Sequence, residues 1–257
     1  MKKISRKVQV LSYFLMQFLN IRFLRILIVK LEQESLNEFA ISSWAQAGED
    51  LALERIFADK NRGFYIDIGA HHPERFSVTK KLHQKGWTGI NVDADKLLIE
   101  KFKIKRPNDI NIWAVVGSKP EYTFYEFSEK AISTTDIMRK NSLELAGRKL
   151  TATKTVPGLS LKQIFDQVPN GQNIDFLNLD IEGAELEALV SGCFQEIEYF
   201  KKPQWILVET KPPISNALAE SAIVYLINNG YEPYLCLAMN TLLRKSIIQN
   251  SETYRGI

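Results

Sequence analysis

Four acidic side chains stand at the ends of short apolar runs in this sequence. Asp67 interrupts FYIDIG, Asp93 closes INVD, Asp180 closes FLNLD and Glu209 closes ILVE. Apolar runs of this length are typical of buried strands. A carboxylate beside a buried strand is costly unless hydrogen-bond donors or a positive charge compensate it. The four acids are therefore candidate ligands for a molecule that carries hydroxyl or amino donors, or for a cation.

The positions of these acids favour one common site. In an open α/β sheet, ligands bind in the crevice outside the carboxyl ends of the parallel strands. Acids at successive strand ends are therefore expected to gather along that edge of the sheet. A single strand-end aspartate often only caps the following helix, but four such residues favour a binding site over four separate caps.

The spacing between the ends of the first two predicted strands indicates which kind of ligand the acids could bind. Asp93 follows Gly69 by about one βαβ unit, the distance at which an acid meets a ribose hydroxyl pair in nucleotide-binding folds. The first turn reads GAHHPE and lacks the GxGxxG loop that holds a pyrophosphate, and the sequence contains no GxxxxGKS or GxxxxGKT loop. S-adenosylmethionine, which has a ribose, no phosphate, a sulfonium cation and an amino acid end, meets this description.

An alternation of strands and helices in the sequence would bring these acids to one edge of a sheet. GFYIDIG and TGINVDAD are predicted strands, and the stretch between them predicts one helix that Pro73 opens and Gly86 caps. This order predicts a right-handed βαβ unit with parallel strands. Before the first strand, SSWAQAGEDLALERIF predicts a helix with Glu49 and Asp50 near its positive N-terminal end.

The rest of the sequence continues this alternation. LLIEKFKI predicts a helix, NIWAVVG a third strand, and EYTFYEF a strand that extends or flanks the sheet. Residues 128–155 are polar and predict a long loop or small insertion on the active side. Ser160 and Gln163 form a predicted capping box for the helix SLKQIF. The remaining predictions are the strand IDFLNLD, the helix EGAELEALVSG, the strand QWILVET, a helix over 215–229 and an antiparallel hairpin of YEPYLCLAM and TLLRKSII.

Several of these segments together resemble one enzyme family. GEDLALERIF, FYIDIGAHHPERFSVTKKL, GWTGINVDAD, VPGLSLKQIF and IDFLNLDIEGAELEAL with ILVE are similar, in order and spacing, to the FkbM-type methyltransferases. The resemblance covers roughly residues 44–210. It implies an α/β fold with a Rossmann-like class I methyltransferase sheet, mostly parallel and here followed by the C-terminal antiparallel hairpin. It also implies transfer of the methyl group of S-adenosylmethionine, typically to a hydroxyl oxygen.

The resemblance assigns cofactor-binding residues as well. It implies that the first-strand motif holds the methionine part, that the end of the second strand holds the ribose hydroxyls, and that the third strand lies next to the adenine. In that order, the residues are Asp67, Gly69, Ala70 and His71; Asp93 with Ala94; and Trp113 with Ala114. The sequence departs from the family at His71-His72-Pro73, where many members have Asn-x-Gly, which leaves the contacts of each histidine open.

Methyl transfer to a hydroxyl needs alignment of the reacting atoms and a base for the hydroxyl proton. Asp180 and Glu182 in LDIEG are the candidate bases, because Asp180 ends a central strand and Glu182 is expected to open the next helix near its dipole. The open alternatives are that Asp180 only orients the donor and that Glu182 is a first-turn helix acid. His72 is a further candidate, since imidazole titrates near neutral pH; its alternative is a turn histidine bonded to the backbone.

The charge distribution separates an N-terminal extension from the rest of the sequence. Residues 1–31 carry seven basic side chains and no acid, which leaves 26 of the 33 basic side chains against all 30 acidic ones elsewhere. Arg22 and Arg25 interrupt the apolar residues before the roughly 20 that are needed to span a bilayer. We predict a basic amphipathic extension over 1–42 and a methyltransferase domain over 43–257. The extension either lies on an anionic membrane through residues 1–31 or packs on its own domain.

The sequence thus predicts a cytoplasmic S-adenosylmethionine-dependent O-methyltransferase, peripheral at the inner membrane face if the extension binds there. The predicted acceptor is a hydroxyl of a sugar or glycan precursor, because the family resemblance and the membrane contact both suit a surface polysaccharide. We predict no metal site, because the three histidines and two cysteines lack metal-ligand spacing. We predict no nucleic acid partner, because the sequence after residue 31 is net acidic.

Two other functions remain open at this point. One is a nicotinamide-dependent oxidoreductase on a Rossmann-like fold, against which the missing diphosphate loop counts. The other is a membrane-surface binding protein that keeps the fold without catalysis.

Overall fold

A computed structural model of the protein describes residues 40–210 and 221–246. Nearly all of the predicted extension over 1–42, the first part of the predicted helix over 215–229 and the last part of the hairpin segment TLLRKSII lie outside these residues. None of the helices in the described ranges is long and apolar enough to cross a membrane.

A seven-stranded sheet forms the centre of the described structure. Its strands are β1 (Phe64–Ile68), β2 (Thr88–Asp93), β3 (Ile110–Trp113), β7 (Phe176–Leu179), β8 (Trp205–Glu209), β9 (Tyr231–Leu237) and β10 (Asn240–Lys245). They lie in the order β3-β2-β1-β7-β8-β10-β9. Adjacent strands from β3 to β8 in this order pair in parallel, and β10 is antiparallel to both β8 and β9. The predicted mostly parallel sheet with a C-terminal antiparallel hairpin is confirmed.

Helices connect the strands, as the alternation in the sequence predicts. They are α1 (Glu49–Ile56), α2 (Lys80–Gln84), α3 (Lys96–Lys105), α4 (Ile137–Leu145), α5 (Leu161–Phe165), α6 (Glu185–Ser191) and α7 (Ser221–Asn228). The predicted capping box is present at α5, where the Ser160 hydroxyl accepts from the backbone N–H of Gln163 and the Gln163 side chain accepts from the backbone N–H of Ser160. Ile66, Ile68, Leu177 and Ile206 of the central strands contribute to the main hydrophobic core.

The prediction that Pro73 opens the helix after β1 is wrong. The helix α2 begins only at Lys80, and residues 73–79 form turns instead. Ser77 and Thr79 in this segment are buried and polar, and their hydroxyls take part in hydrogen bonds with side chains rather than facing solvent on a helix. The predicted end of the helix is confirmed, since Gly86 follows it with a positive φ of 93°.

The predicted third strand NIWAVVG divides into two strands in different sheets. β3 ends at Trp113, and β4 (Val115–Val116) pairs in parallel with β6 (Leu150–Leu159). β5 (Glu121–Phe127) pairs with the other edge of β6, antiparallel, so that a three-stranded sheet β4-β6-β5 flanks the main sheet.

The region predicted as a long loop or small insertion, 128–155, contains regular structure. A short 3₁₀ helix at Lys130–Ile132 leads to α4, and the region ends within β6. β6 escaped prediction because its residues 150–155 read LTATKT, and the residues of this stretch are exposed or only half-buried. Leu150 and Ala152 alternate with exposed threonines, but the exposed Lys154 interrupts the same face, so the strand signal in the sequence is weak.

Candidate active site

A cavity of about 300 Å³ lies at the carboxyl ends of β1, β2, β7 and β8. All four strand-end acids, Asp67, Asp93, Asp180 and Glu209, line it. The sequence-based expectation that these acids gather along one edge of the sheet is therefore met. Ligand sites of proteins commonly have volumes from about 300 Å³ upward, so the cavity is large enough for a small ligand.

The turn after β1 brings backbone groups close to this cavity. The N–H groups of Gly69 and Ala70 both donate to the carbonyl of Val92 at 3.0 Å. Gly69 has a φ of 78°, and a Cβ at this position would overlap the carbonyl oxygen of Asp180. Only glycine therefore allows the ends of β1 and β7 to approach each other this closely.

Asp93 is held by the backbone on both sides. One carboxylate oxygen accepts from the N–H of His71 at 2.8 Å, and the other accepts from the N–H of Asp95 at 2.7 Å. Burial, together with the negative charges of Asp95 and Asp67, raises the pKa of Asp93 to about 7, although these two hydrogen bonds lower it. Asp93 is thus fixed in position, and its charge changes near neutral pH.

Asp67 lies deeper and bonds to side chains. Its carboxylate accepts from the Thr79 hydroxyl at 2.6 Å and from the Asn178 amide at 2.9 Å, and the residue is only 1% exposed. Burial raises the pKa of Asp67, while the hydrogen bonds from Thr79 and Asn178 and the charge of Arg106 lower it. Three groups therefore offset part of the free-energy cost of burying this carboxylate in its charged form.

Asp180 sits in a cluster of carboxylates directly after β7. It is half-buried at the cavity wall. Burial raises its pKa well above the ordinary range, and the nearby charges of Glu209, Glu182 and Glu185 act in the same direction. A group that is positively charged would relieve this repulsion. Within the described ranges, no three His, Cys, Asp or Glu side chains converge in a way that could hold a metal ion.

The prediction that Glu182 opens the helix after β7 is wrong. The helix α6 begins at Glu185, whose carboxylate accepts from the backbone N–H groups of Ile181 and Gly183 at 3.0 and 3.1 Å. Glu182 instead lies in the turn before it with a φ of 61°, lines the cavity and forms an ion pair with Arg139 of α4. A non-glycine residue with positive φ stores backbone strain, which is frequent at functional sites.

The two adjacent histidines have different environments. His71 lines the cavity, has a φ of 53°, and its ring stacks with that of Phe76 at a centroid distance of 6.1 Å. Burial and the charge of Arg75 lower its pKa to about 4, so the imidazole is neutral at pH 7. His72 accepts from the backbone N–H groups of Glu74 and Arg75 through Nδ1, both at 3.1 Å. His72 has the contacts of a turn histidine and is not among the cavity-lining residues.

Of the residues predicted near the ribose and adenine, some line the cavity and one lies behind its wall. Ala94 and Ala114 line the cavity together with Ala70. Trp113 is not among the lining residues. Its indole N–H donates to the carbonyl of Ala94 at 2.8 Å, and its ring packs in a small cluster with Ala70. Trp113 thus lies behind the cavity wall. Trp113 therefore supports the wall of the cavity by packing.

The insertion supplies cavity residues to which the sequence analysis gave no role. Ser133, Thr134, Thr135, Lys130 and Arg139 all line the cavity. Lys130 forms ion pairs with Asp95 at 3.1 Å and with Glu126 of β5. The polar character of the insertion was visible in the sequence, but nothing in the spacing showed which of its side chains return to the strand ends.

The structure is a Rossmann-like α/β fold with an acidic cavity at the carboxyl ends of its strands. The chain belongs to the Methyltransferase FkbM domain family, whose profile matches residues 67–233, well over half of the sequence. The protein is accordingly a methyltransferase. No curated protein sequence matches the chain significantly.

Several solved structures are similar to the chain. One is a TehB-like SAM-dependent methyltransferase from Corynebacterium glutamicum, with 11% identity, a TM-score of 0.39 and coverage of 84% of this chain and 96% of that one. Another is a putative RNA methyltransferase from Pyrococcus horikoshii, with 12% identity, a TM-score of 0.39 and coverage of 78% and 84%. A third is a putative O-methyltransferase from Klebsiella pneumoniae, with 10% identity, a TM-score of 0.35 and coverage of 81% and 83%. The functional assignment rests on the family match and not on these similarities.

Proposed function

We propose that the protein is an S-adenosylmethionine-dependent O-methyltransferase that methylates a hydroxyl of a sugar or glycan precursor. Its membership of the methyltransferase family supports the reaction class. The observation that carries the proposal is the convergence of Asp67, Asp93, Asp180 and Glu209 on one cavity at the strand ends. Such a cluster suits a cationic ligand that also carries hydroxyl groups.

The side chains present fit S-adenosylmethionine. Asp93 accepts one backbone hydrogen bond on each oxygen, and a carboxylate oxygen can accept a second one, here from a ribose hydroxyl. The Nε2 atom of His71 is buried without a hydrogen-bond partner among the described residues, which suits a polar ligand group. The acids around Asp180 would offset the positive charges of the sulfonium and the amino group.

When bound, S-adenosylmethionine supplies an electrophilic methyl group on a cationic sulfur. Its charge would lower the raised pKa of Asp180 and favour the ionised carboxylate. Asp67 and Asp93 would hold the donor, and Asp180 would take the proton of the acceptor hydroxyl as that oxygen receives the methyl group. The residues around the cavity would contribute by aligning the acceptor and excluding water.

The insertion supports a polyhydroxylated acceptor. The hydroxyl of Ser133 accepts from the backbone N–H of Phe127, and that of Thr134 accepts from the backbone N–H of Asp136, both at 3.1 Å. A hydroxyl that accepts one hydrogen bond keeps its own proton for donation. These side chains, with Thr135, line the cavity and offer hydrogen bonds that suit a sugar.

Two measurements test this function. In a thermal-shift assay, S-adenosylhomocysteine at 100 times its Kd should stabilise the protein by about 2.7 kcal/mol, whereas NAD should not. Stabilisation by NAD alone would favour the oxidoreductase instead. Incubation with methyl-labelled donor and cell extract should then place the label in a glycan or glycolipid fraction. Label found only in protein or nucleic acid would refute the sugar acceptor.

A further inference from the structure

Arg106 is the centre of a buried hydrogen-bond network behind the cavity. It follows α3 directly and is only 1% exposed. Its two terminal nitrogens lie within hydrogen-bond distance of five acceptors. Nη1 shares its two protons among the Tyr65 hydroxyl at 3.1 Å, the Thr79 hydroxyl at 2.8 Å and the Asn91 amide oxygen at 3.4 Å, and Nη2 donates to the Pro73 carbonyl at 2.7 Å and the Ser77 hydroxyl at 2.9 Å. A buried arginine is costly unless its donors are satisfied. These contacts of the two terminal nitrogens determine where the guanidinium can lie, while Nε has no hydrogen-bond partner among the described residues.

The bond to Thr79 connects Arg106 to Asp67, one of the acids that line the cavity. A guanidinium can only donate hydrogen bonds, so the Thr79 hydroxyl must accept from Arg106. Its single proton is thereby left for Asp67, at an oxygen separation of 2.6 Å. The direction of both bonds is therefore fixed, from Arg106 through Thr79 to the carboxylate.

The other contacts of Arg106 hold the turn that follows β1. The Pro73 carbonyl and the Ser77 hydroxyl belong to residues 70–79, the segment that also carries His71 and Phe76 to the cavity. A segment without helical hydrogen bonds depends on such side-chain contacts for its conformation. One side chain thus connects this turn to the base of the cavity.

We propose that Arg106 is a positioning residue that, through the Thr79 hydroxyl, orients and stabilises the Asp67 carboxylate for binding of the methyl donor. This inference rests on the proposed function, because it takes Asp67 as part of the donor site. Arg106 lies behind Asp67 and acts on the ligand only through it and through the turn over 70–79.

The electrostatic surroundings of Asp67 explain why such support is needed. Burial and the charge of Asp109 raise the pKa of Asp67, and Arg106 lowers it. The carboxylates of Asp93 and Asp180 also interact with it unfavourably. Loss of the Thr79 bond would raise the pKa of Asp67 further, so that the donor would bind a protonated, neutral side chain over a wider pH range.

The test uses the full chain and S-adenosylhomocysteine as the probe. Isothermal titration calorimetry from pH 5.5 to 8.5 would compare the wild type with Thr79→Val, which keeps the shape of the side chain but lacks the hydroxyl. We expect Thr79→Val to weaken binding at pH 7 by about tenfold or more and to move the acidic loss of affinity to higher pH. Thr79→Ser, which restores the hydroxyl, should bind within about twofold of the wild type.

The outcomes separate this inference from the proposed function. If the wild type binds and Thr79→Val binds equally well with the same pH profile, the positioning role is refuted and the proposed function stands. A uniform loss in Thr79→Val without a shift in pH dependence would also refute it, because a purely structural defect predicts that result. If the folded wild type takes up no S-adenosylhomocysteine, both proposals fail. Arg106→Lys provides a second variant: since one ammonium cannot replace the planar fork, it should show the same shift in pH profile.

Discussion

At the scale of single residues, the strand-end acids differ in what surrounds them. Backbone N–H groups hold Asp93, side-chain donors hold Asp67, and other carboxylates surround Asp180. The same residue type therefore has different properties in the three settings. Asp93 titrates near neutral pH, Asp67 is held by hydrogen-bond donors, and Asp180 is the residue that we propose as the base once a cation is bound.

The first prediction concerns the pH dependence of donor binding through Asp93. In the proposed complex, ribose hydroxyls would donate to the ionised carboxylate, so binding should favour the deprotonated form and affinity should rise with pH up to the pKa of about 7. Below that pH, the affinity for S-adenosylhomocysteine should fall by up to about tenfold per pH unit. Calorimetry on Asp93→Asn should show weaker binding and a flatter profile.

The exposed Asp59 is the control for this measurement. Asp59→Asn changes net charge equally and should keep the wild-type profile. A profile in Asp93→Asn that coincides with that of the wild type would show that another group titrates.

The second prediction concerns Asp180 as the base. Asp180→Asn keeps the shape of the side chain but accepts no proton, and general base catalysis typically contributes about 10²–10⁴-fold. We expect kcat to fall within that range while S-adenosylhomocysteine still binds. The measurement is turnover of labelled donor with the acceptor fraction, with Asp166→Asn, an exposed acid of α5's C-cap, as the control. Retention of at least half the wild-type kcat in Asp180→Asn would exclude this role.

At the scale of elements, an ion pair connects the insertion to the segment that follows β2 of the main sheet. Lys130 bonds both Asp95, which caps α3, and Glu126 of β5. Lys154 of β6 pairs with the same Glu126, whereas the ion pair to Asp95 comes from Lys130. The Asp95 carboxylate is buried, so the charge on Lys130 compensates a group that water cannot reach.

The third prediction follows from this difference between the two lysines. Lys130→Met leaves a buried carboxylate oxygen without its cation and should lower the free energy of unfolding by about 1–3 kcal/mol. Lys154→Met, at a more exposed position, should cost less than about 1 kcal/mol. Urea denaturation of both variants gives the comparison. Equal losses in the two variants would mean that the contact with Asp95 contributes nothing.

At the scale of the whole molecule, the basic side chains are concentrated at the N-terminal end of the sequence. Residues 1–31 carry seven basic side chains and no acid, while the remainder is net acidic. We propose that this segment contacts an anionic membrane surface and places the enzyme at the cytoplasmic inner membrane face, close to a lipid-linked glycan precursor. Basic residues near an anionic surface contribute about 1 kcal/mol each, and this attraction weakens as salt increases.

The fourth prediction tests that contact. Deletion of residues 1–31 should abolish sedimentation with vesicles that contain anionic lipid, and the full chain should lose the same binding in high salt. Vesicles of neutral lipid are the control for charge, and calorimetry with S-adenosylhomocysteine checks that the shortened protein remains folded. Undiminished sedimentation of the shortened protein would mean that the segment is not the membrane contact.

The sequence by itself determined the elements whose signals are local. Apolar runs ending in acids predicted the parallel strands, the spacing of Ser160 and Gln163 predicted the cap of α5, and the last two apolar segments predicted the hairpin. These signals are local because strand burial, capping and turn formation each depend on residues a few positions apart. The shared edge for the four acids also followed, because parallel strands place their carboxyl ends together.

Only the tertiary structure decided which polar side chains meet across long separations in sequence. Nothing near Arg106 showed that it reaches Thr79 and the turn after β1, and nothing near Lys130 showed that it pairs with Asp95. Glu182 was expected in a helix and instead lies in a strained turn beside Arg139. These contacts depend on how the loops fold over the strand ends, and a buried polar network has no repeating pattern in the sequence from which it can be predicted.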